Sequence, residues 1–322
     1  MMEFPKSGFR RGFFKAALAL VLLFPLLWIG CRRRTEESIA AGPSAVPYRI
    51  VSMVPSVTET LFALGVGDRV VGVSDFCKFP PEAQKLPKLG GLYNPNTERI
   101  LELHPDLAVL LREHRELNEK LAKAGIPTLE VDHASVEGIL KSFESIAERC
   151  GVPDAGRELR QRSEKRLAAL RVVQTGKPLS VLMVLDRDLG ERQITQVYAA
   201  GKNRYFNDLL RLAGAENILA ETPSPVPTVS REGIIDSNPD VIVDLSSLGA
   251  VDWQNADEIC ETYRRDWESL GSSVAAVRAG RIYPVLVDYA TIPGPRFVDF
   301  AELLTGILYP RDGEESGQKS AN

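Results

Sequence analysis

The sequence predicts an α/β protein made of two lobes with largely parallel central sheets, with one long helical pattern between them in the chain. Three observations lead to this prediction. Short β-branched runs alternate with helical patterns along most of the 322 residues. Most of these runs are continuously apolar, which is typical of strands covered on both faces. A long helical pattern without proline separates two such alternating regions, so each region is expected to form its own sheet.

The first segment, residues 1–31, is a predicted export signal rather than part of the fold. Lys6, Arg10, Arg11 and Lys15 form a positive start, and an apolar run follows from Ala16 to Ile29. This run is shorter than the ~20 residues that a membrane span needs, and it fits a secretory signal. The arginine pair leaves both the general secretory and the twin-arginine route open.

Cys31 follows Gly30 at the end of this run and resembles the lipidated cysteine of a bacterial lipoprotein. We therefore expect an exported protein, periplasmic or at the cell surface, held to a membrane by a lipid. A plain cleaved signal and an N-terminal membrane anchor are the alternatives. Residues 32–47 are polar with Pro and Gly and predict a flexible tether, and residues 311–322 predict a disordered tail.

The two lobes are predicted at residues 48–152 (N-terminal lobe) and 178–310 (C-terminal lobe). In the N-terminal lobe the strand candidates are Arg49–Val54, Arg69–Ser74, Asp106–Leu111 and Thr128–Val131. In the C-terminal lobe they are Leu179–Leu185, Gln196–Ala199, Asp240–Leu245 and Arg281–Val285. The helices predicted between them include Val57–Leu64, Leu117–Ala124, Ser135–Arg149 and Tyr205–Ala213.

The stretch between the lobes, 153–177, reads as a single helix. Pro153 suits a first helical turn, and Gly176-Lys177-Pro178 ends the pattern. From the pattern alone this helix is either a stiff connection between the lobes or an ordinary surface helix of one lobe.

An internal repeat is the most informative feature. Glu98 and Glu232 each begin the pattern E-x-I-x-x-x-x-P-D, which is followed by an apolar run, once in each lobe. Asn96 and Ser230 precede them and are good helix N-caps, which places each glutamate in a first helical turn. The glutamates either only stabilise helix starts or form a matched pair of acidic groups that dock onto a two-fold symmetric partner.

Composition and missing motifs narrow the function. With 44% hydrophobic residues the chain can build an ordinary core, and a net charge of −4 predicts no nucleic-acid partner. The three histidines, His104, His114 and His133, form no cluster and are predicted at the surface or at helix ends, so no protein metal site and no cofactor are expected. Nucleophile-elbow, phosphate-loop and zinc-protease motifs are missing from the sequence, which makes an α/β lipoprotein enzyme the weaker alternative.

With these residues in hand, the chain resembles the periplasmic binding proteins for vitamin B12, haem and ferric siderophores, from Arg49 to Pro310. The pieces that carry the resemblance are IVSMVPSVTETLFALGVGDRVVGVS, FPPEAQKLPKLGG, NPNTERILELHPDL, VYAAGKNRYFNDLLRLAGAENIL, VSREGIIDSNPDVIV and VAAVRAGRIYPV. The resemblance implies one long helix between two lobes, a ligand in the cleft between them, and docking of Glu98 and Glu232 onto arginines of an ABC permease. It also implies a partner ATPase and a monomeric protein.

The implied ligand is a cobalt- or iron-containing chelate: a corrinoid, a ferric siderophore or haem. The predicted ligand-binding residues are Phe76, Phe79, Tyr93, Tyr198, Asp288, Tyr289 and Arg296. Phe76 and Phe79 are core residues in the competing interpretation, and Arg296 caps a helix or pairs with an acid. Tyr93 or Tyr289 could ligate haem iron. A signalling module with the same cleft is a further alternative to import.

The remaining cysteines are Cys77, Cys150 and Cys260. An odd number at wide spacing does not make a disulfide framework, so these three are predicted to be buried or semi-buried thiols.

Overall fold

The computed structural model describes residues 46–170, 177–246 and 256–310. The predicted signal segment with Cys31, nearly all of the tether and the tail 311–322 lie outside the described residues, as do residues 171–176 at the end of the long helical pattern. In the three described ranges, no helix combines the length and the apolar character needed to cross a bilayer.

The N-terminal lobe contains a four-stranded parallel sheet in the order β2-β1-β3-β4. Its strands are β1 (Ile50–Ser52), β2 (Val70–Val73), β3 (Leu107–Leu111) and β4 (Thr128–Val131). The helices of this lobe are α1 (Pro55–Ala63), α2 (Thr97–Glu102) and α3 (Arg115–Lys123), which connect successive strands, and α4 (Val136–Arg149), which follows β4. All the strands predicted here are confirmed, because continuous β-branched runs bounded by helical patterns leave few alternatives.

The C-terminal lobe contains a six-stranded mixed sheet, β10-β9-β5-β6-β8, with β7 also paired to β5. Its strands are β5 (Leu179–Asp186), β6 (Gln196–Ala199), β7 (Ala215–Asn217), β8 (Thr228–Ser230), β9 (Val241–Asp244) and β10 (Ile282–Pro284). Its helices are α6 (Arg204–Leu212), α7 (Arg231–Ser237), α8 (Ala256–Glu268), α9 (Ala275–Arg278) and α10 (Phe297–Leu308). Strand β6 runs antiparallel to β5 and β8. The strands β7 and β8 were not predicted from the sequence, since neither contains an apolar run.

The long helix α5 (Pro153–Ala169) connects the lobes physically as well as in sequence. Arg160 donates to Glu137 and Glu144 on α4, the last helix of the N-terminal lobe. Arg166 donates to Asp299 and Glu302 on α10, the last helix of the C-terminal lobe. The predicted role as a connection between the lobes is therefore confirmed over the helix's described length.

Each sheet turns one face to a core that both lobes share. Along β5, Val181 and Met183 belong to the shared core, whereas Leu182 and Val184 belong to a core inside the C-terminal lobe. Along β1, Ile50 faces the shared core and Val51 faces a core of the N-terminal lobe. Successive strand residues point to opposite faces, so this alternation follows from the pleat. The lobes are thus joined by a continuous apolar layer.

The sequence repeat forms the same structural unit in both lobes. In the N-terminal lobe α2 leads to β3, which pairs with β1, and in the C-terminal lobe α7 leads to β9, which pairs with β5. Both helices end before a non-glycine residue with a left-handed backbone, His104 and Asn238, each at φ 45°. His104 is therefore the equivalent of a helix-ending asparagine, and its position at a helix end was predicted correctly.

The aspartate that closes each repeat ties its strand to the neighbouring one. Asp106 accepts hydrogen bonds from the backbone N–H groups of Tyr48 and Arg49 beside β1. Asp240 accepts them from the N–H and hydroxyl of Ser180 on β5, and the Ser180 backbone N–H lowers the pKa of Asp240 despite its partial burial. The repeat is therefore a structural unit as well as a pattern of surface charges.

Candidate functional site

Arg296 lies where the two lobes meet, and four side chains surround its guanidinium group. Its Nε and Nη2 donate to the carboxylate of Glu59 on α1, at 3.0 and 2.6 Å, and its Nη1 donates to Asp288 at 2.7 Å. The guanidinium carbon lies 4.1 Å from the ring centre of Phe79 and 5.2 Å from that of Tyr289. Such stacking is favourable for a planar cation.

Four of the predicted ligand-binding residues, Phe79, Asp288, Tyr289 and Arg296, therefore come together at this point. Arg296 also occupies the N-cap position of α10, but its side chain makes no capping hydrogen bond there. The side chain of Arg296 therefore pairs with acids and does not cap the helix. Partial burial raises the pKa of the Tyr289 phenol, so the hydroxyl is protonated at neutral pH.

Glu59 belongs to this group of side chains but was not predicted from the sequence. Its side chain is only 2% exposed, and burial raises the pKa of its carboxyl although Arg296 opposes that shift. An ionisable side chain is almost never fully buried without a partner. A single acid within the otherwise uncharged helix α1 was thus a signal in the sequence, but nothing in the sequence named Arg296 as its distant partner.

Phe76 and Phe79 are exposed, at 60% and 41%, so the competing interpretation of both as core residues is wrong. Phe76 lies on the loop after β2, and a Cβ placed on Gly91 would come within 3.3 Å of its ring. Asp75 ties the same two loops together, because its carboxylate accepts from the Gly90 N–H at 3.1 Å. Both aromatic rings are therefore accessible to a molecule from solution.

The two remaining predicted aromatic contacts are also exposed. Tyr93 lies on the Gly91–Asn94 loop beside Phe76 and is 93% exposed. Tyr198 lies on β6, 42% exposed, opposite Asp186 of β5 and Thr228 of β8. Neither is in contact with Arg296 or its partners among the described interactions.

Glu98 and Glu232 are both exposed, each in the first turn of its helix. The predicted N-caps are confirmed: Asn96 accepts from the Arg99 N–H at 3.0 Å, and Ser230 accepts from the Gly233 N–H at 3.2 Å. Because the caps already satisfy these N–H groups, neither glutamate is needed as a capping side chain. Both carboxylates are free to face a partner.

A serine–histidine contact lies close to the junction of the lobes. Ser56 Oγ is 2.9 Å from His133 Nδ1, and His133 Nε2 is 2.9 Å from Ser142 Oγ. Ser56 and His133 are buried, and burial lowers the pKa of His133 to about 4. The prediction that His133 lies at the surface or a helix end is wrong, because two serine hydroxyls replace the water that a neutral imidazole would lose on burial. His114 is buried at the start of α3, a helix end as predicted.

The cysteines behave as predicted from their spacing. Cys77 and Cys150 are buried and Cys260 is partly buried, and none of the three is in a disulfide. Burial raises the pKa of Cys77 and raises that of Cys150 to about 11, so both are unreactive thiols at neutral pH. In the part of the chain that the structure describes, no three His, Cys, Asp or Glu side chains are grouped as metal ligands.

Comparison with known proteins gives a consistent result. Residues 50–284 match the family model described as periplasmic binding protein. An uncharacterized ABC transporter substrate-binding lipoprotein of Bacillus subtilis, YvrC, is 30% identical, and the match covers 82% of this chain and 81% of the relative. A vitamin B12-binding protein of Salmonella paratyphi A is also 30% identical, over 74% of this chain and 81% of the relative.

Among solved structures, the periplasmic haem-binding protein RhuT of Roseiflexus sp. RS-1 superimposes with a TM-score of 0.63 at 26% identity. The superposition covers 80% of this chain and 96% of that protein. The two-lobed α/β architecture is therefore shared with a protein named for haem binding, whereas one of the sequence relatives is named for vitamin B12 binding.

Proposed function

This chain belongs to the periplasmic binding protein family, and we propose that it is the exported substrate-binding component of an ABC importer for a metal chelate. The observation that carries the proposal is the group of aromatic and charged side chains around Arg296, placed where the lobes meet. Phe79 and Tyr289 offer apolar ring surface, and Asp288 offers an exposed carboxylate, which together suit a bulky chelate with polar edges.

A corrinoid is the ligand we propose first, a ferric siderophore second. A vitamin B12-binding relative shares 30% identity over most of both chains. Haem is the alternative, supported by the haem-binding structural relative and by the exposed Tyr93, a phenol that could approach a haem iron.

Titration of the purified protein with cyanocobalamin, haemin and a ferric hydroxamate siderophore tests the ligand. Changes in the absorbance spectrum of each chelate report binding directly. We expect saturable one-to-one binding of cyanocobalamin with the weakest response to haemin. Saturable binding of haemin alone, lost in Tyr93→Phe, would replace the corrinoid proposal with the haem alternative, and binding of none of the three would refute the chelate proposal.

Delivery to the permease is the role proposed for Glu98 and Glu232. Their exposure and their equivalent places in two repeated units support this role, since a two-fold symmetric partner presents the same surface twice. Surface charges of this kind set orientation and association rate more than affinity. The partner is a permease with its ATPase, and this protein acts as a monomer.

The variant Glu98→Ala/Glu232→Ala is expected to abolish uptake of the chelate while its dissociation constant stays within about twofold. Glu102→Ala/Asp236→Ala is a matched control, because these exposed acids lie on the same two helices. Uptake by cells and chelate titration are the two measurements. Equal loss of uptake in the control, or loss of binding in the first variant, would contradict the assignment.

No catalytic step is part of the proposal. The Ser56–His133 contact is the arrangement closest to a nucleophile and its base, but Ser142 occupies the ring nitrogen that an orienting acid would need. A histidine with a pKa of about 4 is also a weak base at neutral pH. A signalling role would use the same cleft, and loss of uptake in the docking variant distinguishes import from signalling.

Attachment to the membrane through Cys31 completes the proposal. Its position after Gly30 at the end of the apolar run supports lipidation, as does the lipoprotein relative in Bacillus subtilis. Metabolic labelling with a radioactive fatty acid should mark the unaltered protein and leave Cys31→Ala unmarked. Equal labelling of both would refute lipidation at this position.

A further inference from the structure

The loop before α10 rests directly on the start of α1, which brings the two lobes into backbone contact. A Cβ placed on Gly294 would lie 3.1 Å from Ser56 Cα and 3.2 Å from the Ser56 carbonyl oxygen. Both are closer than ordinary side-chain contacts, so a glycine suits this position. The C-terminal lobe therefore approaches the N-terminal lobe two residues before Arg296.

Arg296 adds hydrogen bonds of fixed geometry to this contact between the lobes. Two of its nitrogens donate to the two oxygens of Glu59, which fixes the plane of the guanidinium group relative to α1. The third nitrogen donates to Asp288, and the face of the group covers the ring of Phe79. Every nitrogen of the guanidinium thus has a carboxylate partner, and those partners come from both lobes.

We propose that Glu59 and Arg296 form an interlobe clamp that holds Phe79, Asp288 and Tyr289 in position for ligand capture. Glu59 is buried and faces Arg296, whereas Asp288 is about half exposed and faces solvent as well. The buried partner carries the link between the lobes. The exposed partner also accepts from Arg296 with both of its oxygens, but it remains accessible to a ligand from the solvent side. Arg296 is a positioning residue: it orients Asp288 and Phe79 and needs no contact with the chelate.

The clamp adds a second connection to the one that α5 and the shared core provide. Helix α5 joins α4 to α10 on the side of the molecule that carries Arg160 and Arg166. The Glu59–Arg296 pair joins α1 to the residue at the start of α10. Both connections reach the first two turns of α10, but they come from different elements of the N-terminal lobe: α1 through Arg296, and α4 through α5. Two such connections restrict rotation of one lobe against the other more than one connection would.

Distance measurement between the lobes, without ligand, tests the clamp. Nitroxide labels at Glu102→Cys and Asp236→Cys lie on exposed positions of α2 and α7, one per lobe. The full chain would carry Cys31→Ala and Cys260→Ser, and the buried Cys77 and Cys150 are protected from labelling. Pulsed electron resonance then gives the distribution of the interlobe distance.

We expect the distribution to be at least twice as wide in Arg296→Met as in the labelled parent. Arg296→Lys should be intermediate, because one ammonium group can reach Glu59 but cannot also hold Asp288 and stack on Phe79. Asp288→Asn is the matched control and should keep the parent's width, since Glu59 still holds Arg296. Unchanged width in Arg296→Met, or equal broadening in Asp288→Asn, would overturn the clamp.

The double variant Glu59→Gln/Arg296→Met guards against misfolding caused by a buried carboxylate without its partner. It should unfold at a higher temperature than Arg296→Met but keep the broad distance distribution. Recovery of the narrow distribution in the double variant would show that only the unpaired charge disturbs the lobes, and would overturn the proposal.

The positioning role of Arg296 rests on the proposed function, and it is tested separately by measuring ligand affinity. Cyanocobalamin is expected to bind Arg296→Met and the double variant about tenfold more weakly, mainly through a slower association rate, because the cleft is no longer preorganised. Unaltered affinity in variants with a broadened distribution would overturn the positioning role. If cyanocobalamin does not bind the parent, the corrinoid proposal fails, while the ligand-free distance result still decides the clamp.

Discussion

The two lobes build the same repeated unit but stabilise their interiors in different ways. Apart from Glu59, which pairs with Arg296 of the other lobe, the N-terminal lobe buries a neutral group: His133 lies between the hydroxyls of Ser56 and Ser142. The C-terminal lobe buries a charged group: Arg187 pairs with Asp244 and Asp266, and all three side chains are essentially inaccessible to solvent. The repeat thus specifies the surface position of the glutamates, whereas the two lobes differ in the polar groups that they bury.

The charged cluster holds together parts of the C-terminal lobe that are far apart in sequence. Arg187 follows β5, Asp244 ends β9 and Asp266 belongs to α8. Trp267 donates its indole N–H to Asp244 at 2.8 Å, and the backbone N–H groups of Gly190 and Arg192 donate to Asp266. The comparison therefore predicts a large effect of mutation in the C-terminal lobe and a pH-dependent effect in the N-terminal lobe.

The largest expected effect is that of Arg187→Met. Removing the guanidinium leaves two buried carboxylates without their cation, which costs about 3–5 kcal/mol in the free energy of unfolding. Urea unfolding followed by circular dichroism measures this loss. Arg192→Met is the control, because Arg192 is exposed and should change the free energy of unfolding by less than about 0.5 kcal/mol. If both variants lowered the free energy of unfolding equally, the buried charged cluster would not distinguish the interior of the C-terminal lobe from that of the N-terminal lobe.

His133 should make stability depend on pH in the N-terminal lobe. Its pKa falls from 6.5 to about 4 because burial disfavours the imidazolium, although the nearby Asp132 favours it. With a lowered folded-state pKa, the stabilising effect is present above pH 6.5 and is lost as the pH falls towards 4. The expected loss is about 3 kcal/mol.

The measurement is urea unfolding of the unaltered protein and of His133→Gln between pH 7 and pH 4.5. Other carboxyl groups titrate in both proteins, so the difference between the two curves isolates His133. The gap between them should narrow as the pH falls. A gap that stays constant over this range would show that His133 keeps an ordinary pKa and that the two interiors do not differ in this respect.

The smallest expected effect is that of removing a helix N-cap, and it tests the similarity of the two lobes rather than their difference. Asn96→Ala and Ser230→Ala each remove one N-cap hydrogen bond, at equivalent places in the two repeats. Each should reduce the free energy of unfolding by about 1 kcal/mol, and the two losses should add because the sites are separate. Thermal unfolding of the single and double variants measures this. A clearly larger loss from one cap would mean that the repeated units differ in their contribution to stability.

The hydrophobic pattern of the sequence was enough by itself to predict most of the strands and helices. The strand predictions at Gln196–Ala199 and Thr128–Val131 agree with β6 and β4 residue for residue, because β-branched runs between turn residues have one dominant structure. It was not enough for β7 and β8, whose residues Ala215–Asn217 and Thr228–Ser230 form strands only because β5 and β6 offer them unpaired edges. Nor could it show that β6 runs antiparallel.

For the candidate site, the sequence identified residue types and left their grouping open. Phe79, Asp288, Tyr289 and Arg296 were all predicted from the resemblance to periplasmic binding proteins, and the structure brings these four together. Glu59 was missed because the sequence around a single acid in an uncharged helix is the same whether its partner is four residues away or in the other lobe. Phe76 and Phe79 could be placed outside the core only by the structure, since an aromatic residue fits either place.

By itself the sequence determined the features that depend on neighbouring residues: the order of strands and helices, the capped starts of α2 and α7, and the exposed glutamates Glu98 and Glu232. The tertiary structure alone decided which distant residues meet, among them Glu59 with Arg296 and Arg187 with Asp244. The physical reason is that local preferences act over a few residues, whereas a buried charge is stabilised by whichever partner the packed chain brings within hydrogen-bonding distance.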